Sequence, residues 1–333
     1  MDNPQLEDEP MPAPRDQELL VRTARMYYQE NRSQADIATT LGLSRSNVSR
    51  MLTSARERGI VEIRINDPTG RDLACERDLA ERFGLRDVRV ADGAPATKAL
   101  ARVGDLGARW LAERLRGGAA RLAVSWGHTM QALVAAVPVD LAETQELGEI
   151  EVVPLVGGLS SVEASITGEE LVRDLALRVG GRMRRLHAPA VLTSAESRDV
   201  LLAEPSVADA LAAARKADIA LVGIGCVGVG SSAAIIESVR LERGERAEFQ
   251  RAAPVGDMCA RYFDASGRAV LGAVDDRMLA VTLADLGNIP TVVGIAAGRE
   301  KLPGVLGALR TGTVDVLICD RALARLLMAH EPA

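Results

Sequence analysis

Ser33-Gln34-Ala35-Asp36-Ile37-Ala38-Thr39-Thr40-Leu41-Gly42-Leu43-Ser44-Arg45-Ser46-Asn47-Val48-Ser49-Arg50-Met51-Leu52-Thr53-Ser54-Ala55-Arg56-Glu57-Arg58-Gly59 carries two helix signals with a glycine between them. Ser33 with Asp36 three residues on has the form of a capping box, which satisfies the free N–H groups at a helix start. Ile37, Ala38 and Leu41 supply the inner face of that helix, and Gly42 breaks it. Ser44 caps the next helix, whose Val48, Met51, Leu52 and Ala55 share one side, and Gly59 ends it. Upstream, residues 17–30 place Leu19, Leu20, Ala24, Tyr27 and Tyr28 at helical spacing. The pattern predicts a small helical unit in which the turn at Gly42 sets one short helix across the next.

The other side of the last helix carries Arg45, Ser46, Asn47, Ser49, Arg50 and Thr53. Short polar and cationic groups at a helix start suit base edges and phosphates in a DNA major groove. Asn47 and Arg50 are expected at or near the bases, and Ser33, Gln34 and Arg56 on the backbone. An ordinary helical hairpin with a solvated polar face is the alternative. Two caps, a glycine turn and a basic face in that order favour the reading helix. Residues 60–65 alternate Ile, Val, Glu, Ile, Arg and Ile, a short strand and a plausible wing.

The whole chain of 333 residues has a net charge of −6, against the usual sign for a DNA binder, but the distribution is uneven. Residues 1–14 hold four acids and no base, and 15–66 hold nine arginines against six acids. Positive charge therefore sits where phosphate contacts are needed. The acidic, proline-rich residues 1–14 have no basic or apolar leader pattern and read as a disordered tail of a cytoplasmic protein. The four cysteines and three histidines fit no metal-ligand spacing, so neither metal nor cofactor is expected, and no apolar run reaches membrane-spanning length.

Asp67, Pro68, Thr69 and Gly70 mark a boundary, and 67–84 reads as a linker with a linking helix. From 85 to 330 the pattern alternates. Strand signals at 88–91, 121–125, 151–156, 219–224, 291–295 and 314–319 are separated by helical stretches such as 100–115, 169–179 and 207–216. That rhythm predicts a larger, mostly parallel α/β domain after an N-terminal winged helix-turn-helix at 15–66.

The helix-turn-helix segment is joined by Ser125-Trp126-Gly127-His128-Thr129, Val153-Pro154-Leu155-Val156-Gly157-Gly158 and Leu221-Val222-Gly223-Ile224-Gly225. Gly256-Asp257-Met258-Cys259, Gly298-Arg299-Glu300-Lys301 and Leu317-Ile318-Cys319-Asp320 follow. In these motifs and their order the chain resembles the SorC family of sugar-responsive regulators. The resemblance implies a domain like sugar-phosphate isomerases and aminosugar-phosphate deaminases, with a sugar, polyol or sugar phosphate controlling affinity for a double-stranded operator. The expected assembly is a dimer or tetramer on a palindromic or repeated site.

Read as residues, Gly127, His128 and Thr129 follow a strand and open a helix, a geometry suited to phosphate or a sugar hydroxyl. His128 could equally cap the helix or face water. Gly157, Gly158 and Ser160 allow close approach and supply a hydroxyl, or form a flexible loop. Asp257 fits a sugar hydroxyl or a turn at Gly256. Lys301 fits a ligand anion or solvent. No spacing identifies a general base, so the chain is expected not to be an enzyme. A sugar-phosphate isomerase or deaminase with a DNA-binding appendage is the alternative function, and an architectural DNA binder without effector is a third.

Overall fold

The computed structural model describes residues 14–61, 70–92, 96–116, 118, 121–142, 149–159 and 167–330. The chain divides into two compact units, 1–66 and 67–333.

The first unit contains α1 (Pro14–Tyr28), α2 (Gln34–Leu41) and α3 (Arg45–Glu57). Ser33 accepts from the Asp36 N–H at 3.2 Å and Ser44 from the Asn47 N–H at 3.1 Å, so both expected caps form. The Asp36 carboxylate accepts from the Ser33 hydroxyl at 2.7 Å, in place of the backbone bond that a full capping box adds. Gly42 ends α2 at φ 65°, a left-handed conformation that favours glycine. Met26, Ile37, Ala38, Val48 and Leu52 pack together beneath the two tyrosines. Most of the expected wing strand lies outside the described residues.

In the second unit the strands are β1 (Asp87–Ala91), β2 (Arg121–Val124), β3 (Glu151–Pro154), β4 (Arg182–Met183) and β5 (Ile219–Cys226). They are followed by β6 (Pro254–Met258), β7 (Arg261–Asp264), β8 (Val292–Ala296) and β9 (Val316–Asp320). Seven run parallel in the order β1-β9-β8-β5-β2-β3-β4, and the hairpin β6–β7 extends the end of β5 antiparallel. The six strands read from the sequence recur within two residues at each end. β4, β6 and β7 had no such signal. β4 has two residues, and β6 is Pro-Val-Gly-Asp-Met, short of the β-branched and aromatic residues that mark strands.

The parallel strands bury both faces, as sheets covered by crossover helices do. Ala123, Val153, Ala220, Val222, Val292 and Leu317 face one core, and Leu122, Val152, Ile219, Leu221, Val293 and Val316 the other. Helices Leu73–Phe83, Pro205–Arg215, Leu302–Arg310 and Arg321–Met328 cover the first face. Helices Ala99–Leu115, His128–Ala136 and Gly168–Arg178 cover the second. Each fully buried leucine or isoleucine stabilises this arrangement by about 1.5–3 kcal/mol.

The segment read from sequence as a linking helix, Leu73–Phe83, is built into the larger unit. Leu79 is fully buried in the first core with Val88 and Val90. Glu76, also buried, accepts from the Arg71 Nε at 2.9 Å and from the Val90 N–H at 2.8 Å.

Candidate functional site

On α3, Arg45, Ser46, Ser49, Arg50, Thr53 and Arg56 are exposed, with Ser44 at its start, while Val48, Leu52 and Ala55 are buried beneath. Burying one face fixes the roll of the helix and turns the polar face outward. Ser33 is exposed and Gln34 half-buried at the start of α2. Asn47 is half-buried, and its Oδ1 accepts from the Arg50 Nη2 at 2.5 Å. Ser44 also shares a hydrogen bond with the Ser46 hydroxyl, so its side chain serves the helix start.

The second site is a cavity of about 560 Å³ at the carboxyl ends of the parallel strands of the larger unit. β2 and β5 are neighbours. From β2 the chain goes outward to β3 and β4, and from β5 it goes to β8 and β9 on the other side. Such a reversal leaves a crevice beyond the strand ends, where open α/β sheets take ligands.

Three helical starts line this cavity. Each follows a glycine at positive φ, namely Gly127 (126°), Gly230 (54°) and Gly298 (106°). None has a side-chain cap, so first-turn N–H groups lack the acceptor that Ser44 or Thr167 supplies elsewhere. Unpaired N–H groups at a helix start attract anions. His128, Arg299 and Lys301 also line the cavity and form no ion pair among the described residues.

Glycines make room for the polar groups. The Ser125 Oγ accepts from the Gly223 N–H at 3.1 Å, joining the ends of β2 and β5. A Cβ on Gly223 would lie 3.1 Å from the Thr129 Oγ1, and one on Gly225 would lie 1.9 Å from the Asp257 Oδ1. Asp257 is 6% exposed, and its Oδ2 accepts from the Ala260 N–H at 3.2 Å. Its Oδ1 is buried without a hydrogen-bond partner among the described residues. Burial pushes this carboxyl above the usual range, against Ser232, Lys301 and the Ala260 N–H, which pull it down. An unsatisfied buried acceptor costs about 1–3 kcal/mol, so a donor supplied by a ligand would recover that energy.

Gly127, His128, Thr129, Asp257 and Lys301 therefore meet around one cavity. Gly157 and Gly158 do not line it. The Gly157 N–H donates to the Leu279 carbonyl and the Gly158 N–H to the Ala188 carbonyl, both at 2.9 Å. A Cβ on Gly157 would lie 2.6 Å from the Pro189 carbonyl, so the glycine admits another segment of chain. Gly158 borders a separate pocket with Arg184, Arg185 and His187. Ser160 lies outside the described residues.

Sequence reading passed over Gly230, Ser232 and Arg321, which also line the cavity, and quoted Gly225 only within a family motif. The run Gly228-Val229-Gly230-Ser231-Ser232 directly after a strand was an available signal. Arg321 gave none, since its partners Asp72 and Asp92 are distant in sequence. Asp275 serves the fold: its Oδ1 accepts from the Nη1 of the buried Arg261 at 2.8 Å. Among the described residues no group of three or more side chains could hold a metal, and no helix is long and apolar enough to cross a membrane.

A polar, basic helix face on one unit and a crevice with uncapped helix starts and a lysine in the other are features of a class: DNA-binding proteins that answer to a small ligand. Residues 67–329 match the Sugar-bind model, a sugar-binding domain. The chain is 31% identical over 315 residues to the transcriptional regulator LsrR of Enterobacter sp. (strain 638), covering 94% of each. It is 32% identical over 317 residues to the deoxyribonucleoside regulator of Bacillus subtilis (strain 168), covering 94% of this chain and 97% of that one. The crystal structure of the full-length sorbitol operon regulator SorC from Klebsiella pneumoniae matches with TM-score 0.69 and 29% identity, over 94% of this chain and 99% of that one. The chain belongs to the SorC family of sugar-binding transcriptional regulators.

Proposed function

We propose that α3 reads an operator with Arg45, Ser46, Ser49, Arg50 and Thr53, while Ser33, Gln34 and Arg56 hold phosphates. An anionic sugar derivative in the cavity sets the affinity. The protein acts as a dimer or tetramer on a palindromic or repeated site in the cytoplasm, because one short reading helix contacts too few bases to specify a site alone. It acts as a regulator, as its relatives' names say of them.

The observation that carries the effector reading is the unpartnered Oδ1 of Asp257 in a cavity that also has three uncapped helical starts and Lys301. A sugar hydroxyl supplies the missing donor, and a phosphate or carboxylate meets the free N–H groups and the ammonium. Gly127, His128, Thr129 and Lys301 are assigned to the anion, and Asp257 to a hydroxyl. A ligand favouring one conformation shifts operator affinity only by its differential affinity for the two states.

A thermal-shift screen of free sugars, polyols and their phosphates, followed by gel shifts with the hits, tests this reading. At a hundred times Kd, a ligand adds about 2.7 kcal/mol, a rise of roughly 5–10 °C for a domain of this size. The expected hits are phosphorylated, and they change operator affinity. Stabilisation by neutral sugars alone would overturn the anion assignment, and no hit at all would overturn the effector reading.

A further inference from the structure

Asn47 and Arg50 stand three residues apart on α3, where side chains share a face. The Arg50 Nη2 donates to the Asn47 Oδ1 at 2.5 Å. The Asn47 backbone is held in place: its backbone N–H donates to the Ser44 Oγ, and the adjacent Val48 is fully buried. The arginine is exposed.

Bidentate recognition of adenine uses both ends of a carboxamide. The oxygen accepts from N6 and the nitrogen donates to N7. One of the two lone pairs of the Asn47 oxygen already accepts from Arg50, and Asn47 is half-buried while Arg50 is exposed, so the arginine is the more accessible reader. A guanidinium has five N–H donors, and one spent on Asn47 leaves enough for O6 and N7 of guanine. Holding the long arginine side chain in place also lowers the entropy lost when it binds. We infer that Asn47 is a positioning residue that presents Arg50 to a guanine, so that α3 reads a G·C pair there through the arginine. The inference rests on α3 being the reading helix.

The test uses the full chain and an operator selected by the wild-type protein from random duplexes. Affinity is then measured for every single base-pair change. Arg50→Ala is expected to flatten one G·C preference by roughly 10- to 100-fold. Asn47→Ala should weaken the preference at that same pair by several-fold, leave the other positions unchanged, and add nothing in the Arg50→Ala background. Asn47→Asp, which keeps an acceptor for the guanidinium, should retain the guanine preference while lowering overall affinity. Relaxation of a different pair by Asn47→Ala, or effects that add in the double variant, would overturn the positioning role. An Arg50→Ala protein with an unchanged base profile would instead remove α3 as the reader, and the role of Asn47 with it.

Discussion

Gly225 on β5 and Asp257 on β6 fit together so closely that a Cβ on the glycine would lie 1.9 Å from the carboxyl Oδ1. The two residues are paired neighbours in the antiparallel ladder. A side chain at 225 must therefore displace the carboxyl that carries the effector assignment.

Gly225→Ala should yield a folded protein that has lost effector response. Moving Asp257 removes one hydrogen bond to the ligand, worth about 0.5–3 kcal/mol, or roughly 2- to 150-fold in ligand affinity. Ligand titration by calorimetry reads this directly, and operator binding without ligand should stay at the wild-type level. Unchanged ligand affinity would separate Asp257 from the ligand.

Asp257 also carries a pH signature. Burial raises its folded-state pKa, so its contribution to stability is fully present below the unfolded value of about 4 and is lost as pH rises through the folded value. Asp257→Asn removes that titration. Without ligand, wild type should lose ground against the variant as pH rises from about 4. Urea midpoints of both proteins across pH 4–8 report the difference, and a gap that stays flat would contradict the raised pKa.

Glu76 should be sensitive to truncation. Glu76→Ala leaves Arg71 without its carboxylate and the Val90 N–H without its acceptor, at a cost of about 3–5 kcal/mol. The same hydrogen bond holds the Arg71 guanidinium above its ordinary pKa. Glu76→Gln keeps an acceptor for Val90 and should cost clearly less. Denaturant unfolding of the two variants checks the order.

Arg56→Ala should weaken operator and random DNA alike, because a phosphate contact carries no sequence information. The slope of log affinity against log salt should fall by about 1. Fluorescence anisotropy across a salt series measures it. A change confined to the operator would move Arg56 from the backbone to the bases.

The site was partly legible in the sequence. Gly127, His128 and Thr129 could be placed because a strand, a glycine and a helix start are local signals. Gly157 and Gly158 carry a similar local signal, yet their N–H groups bond to Leu279 and Ala188. A glycine after a strand shows that something comes close, and only the folded chain shows whether it is ligand or backbone. The Gly230 and Gly298 loops reach the cavity because β5 and β8 are adjacent, and that adjacency is a long-range pairing.

By itself the sequence determined the three N-terminal helices, the caps at Ser33 and Ser44, and six of the seven parallel strands, because capping, periodicity and apolar runs act between residues a few positions apart. It also determined the polar face of α3, since a helical repeat settles which side chains share a surface. The tertiary structure alone decided that Asp257 meets Gly225, that the Leu73–Phe83 helix belongs to the larger unit, and that Asn47 is half-buried. The first two depend on chain segments far apart in sequence. The third depends on which side of α3 the core of the small unit buries, and how deeply.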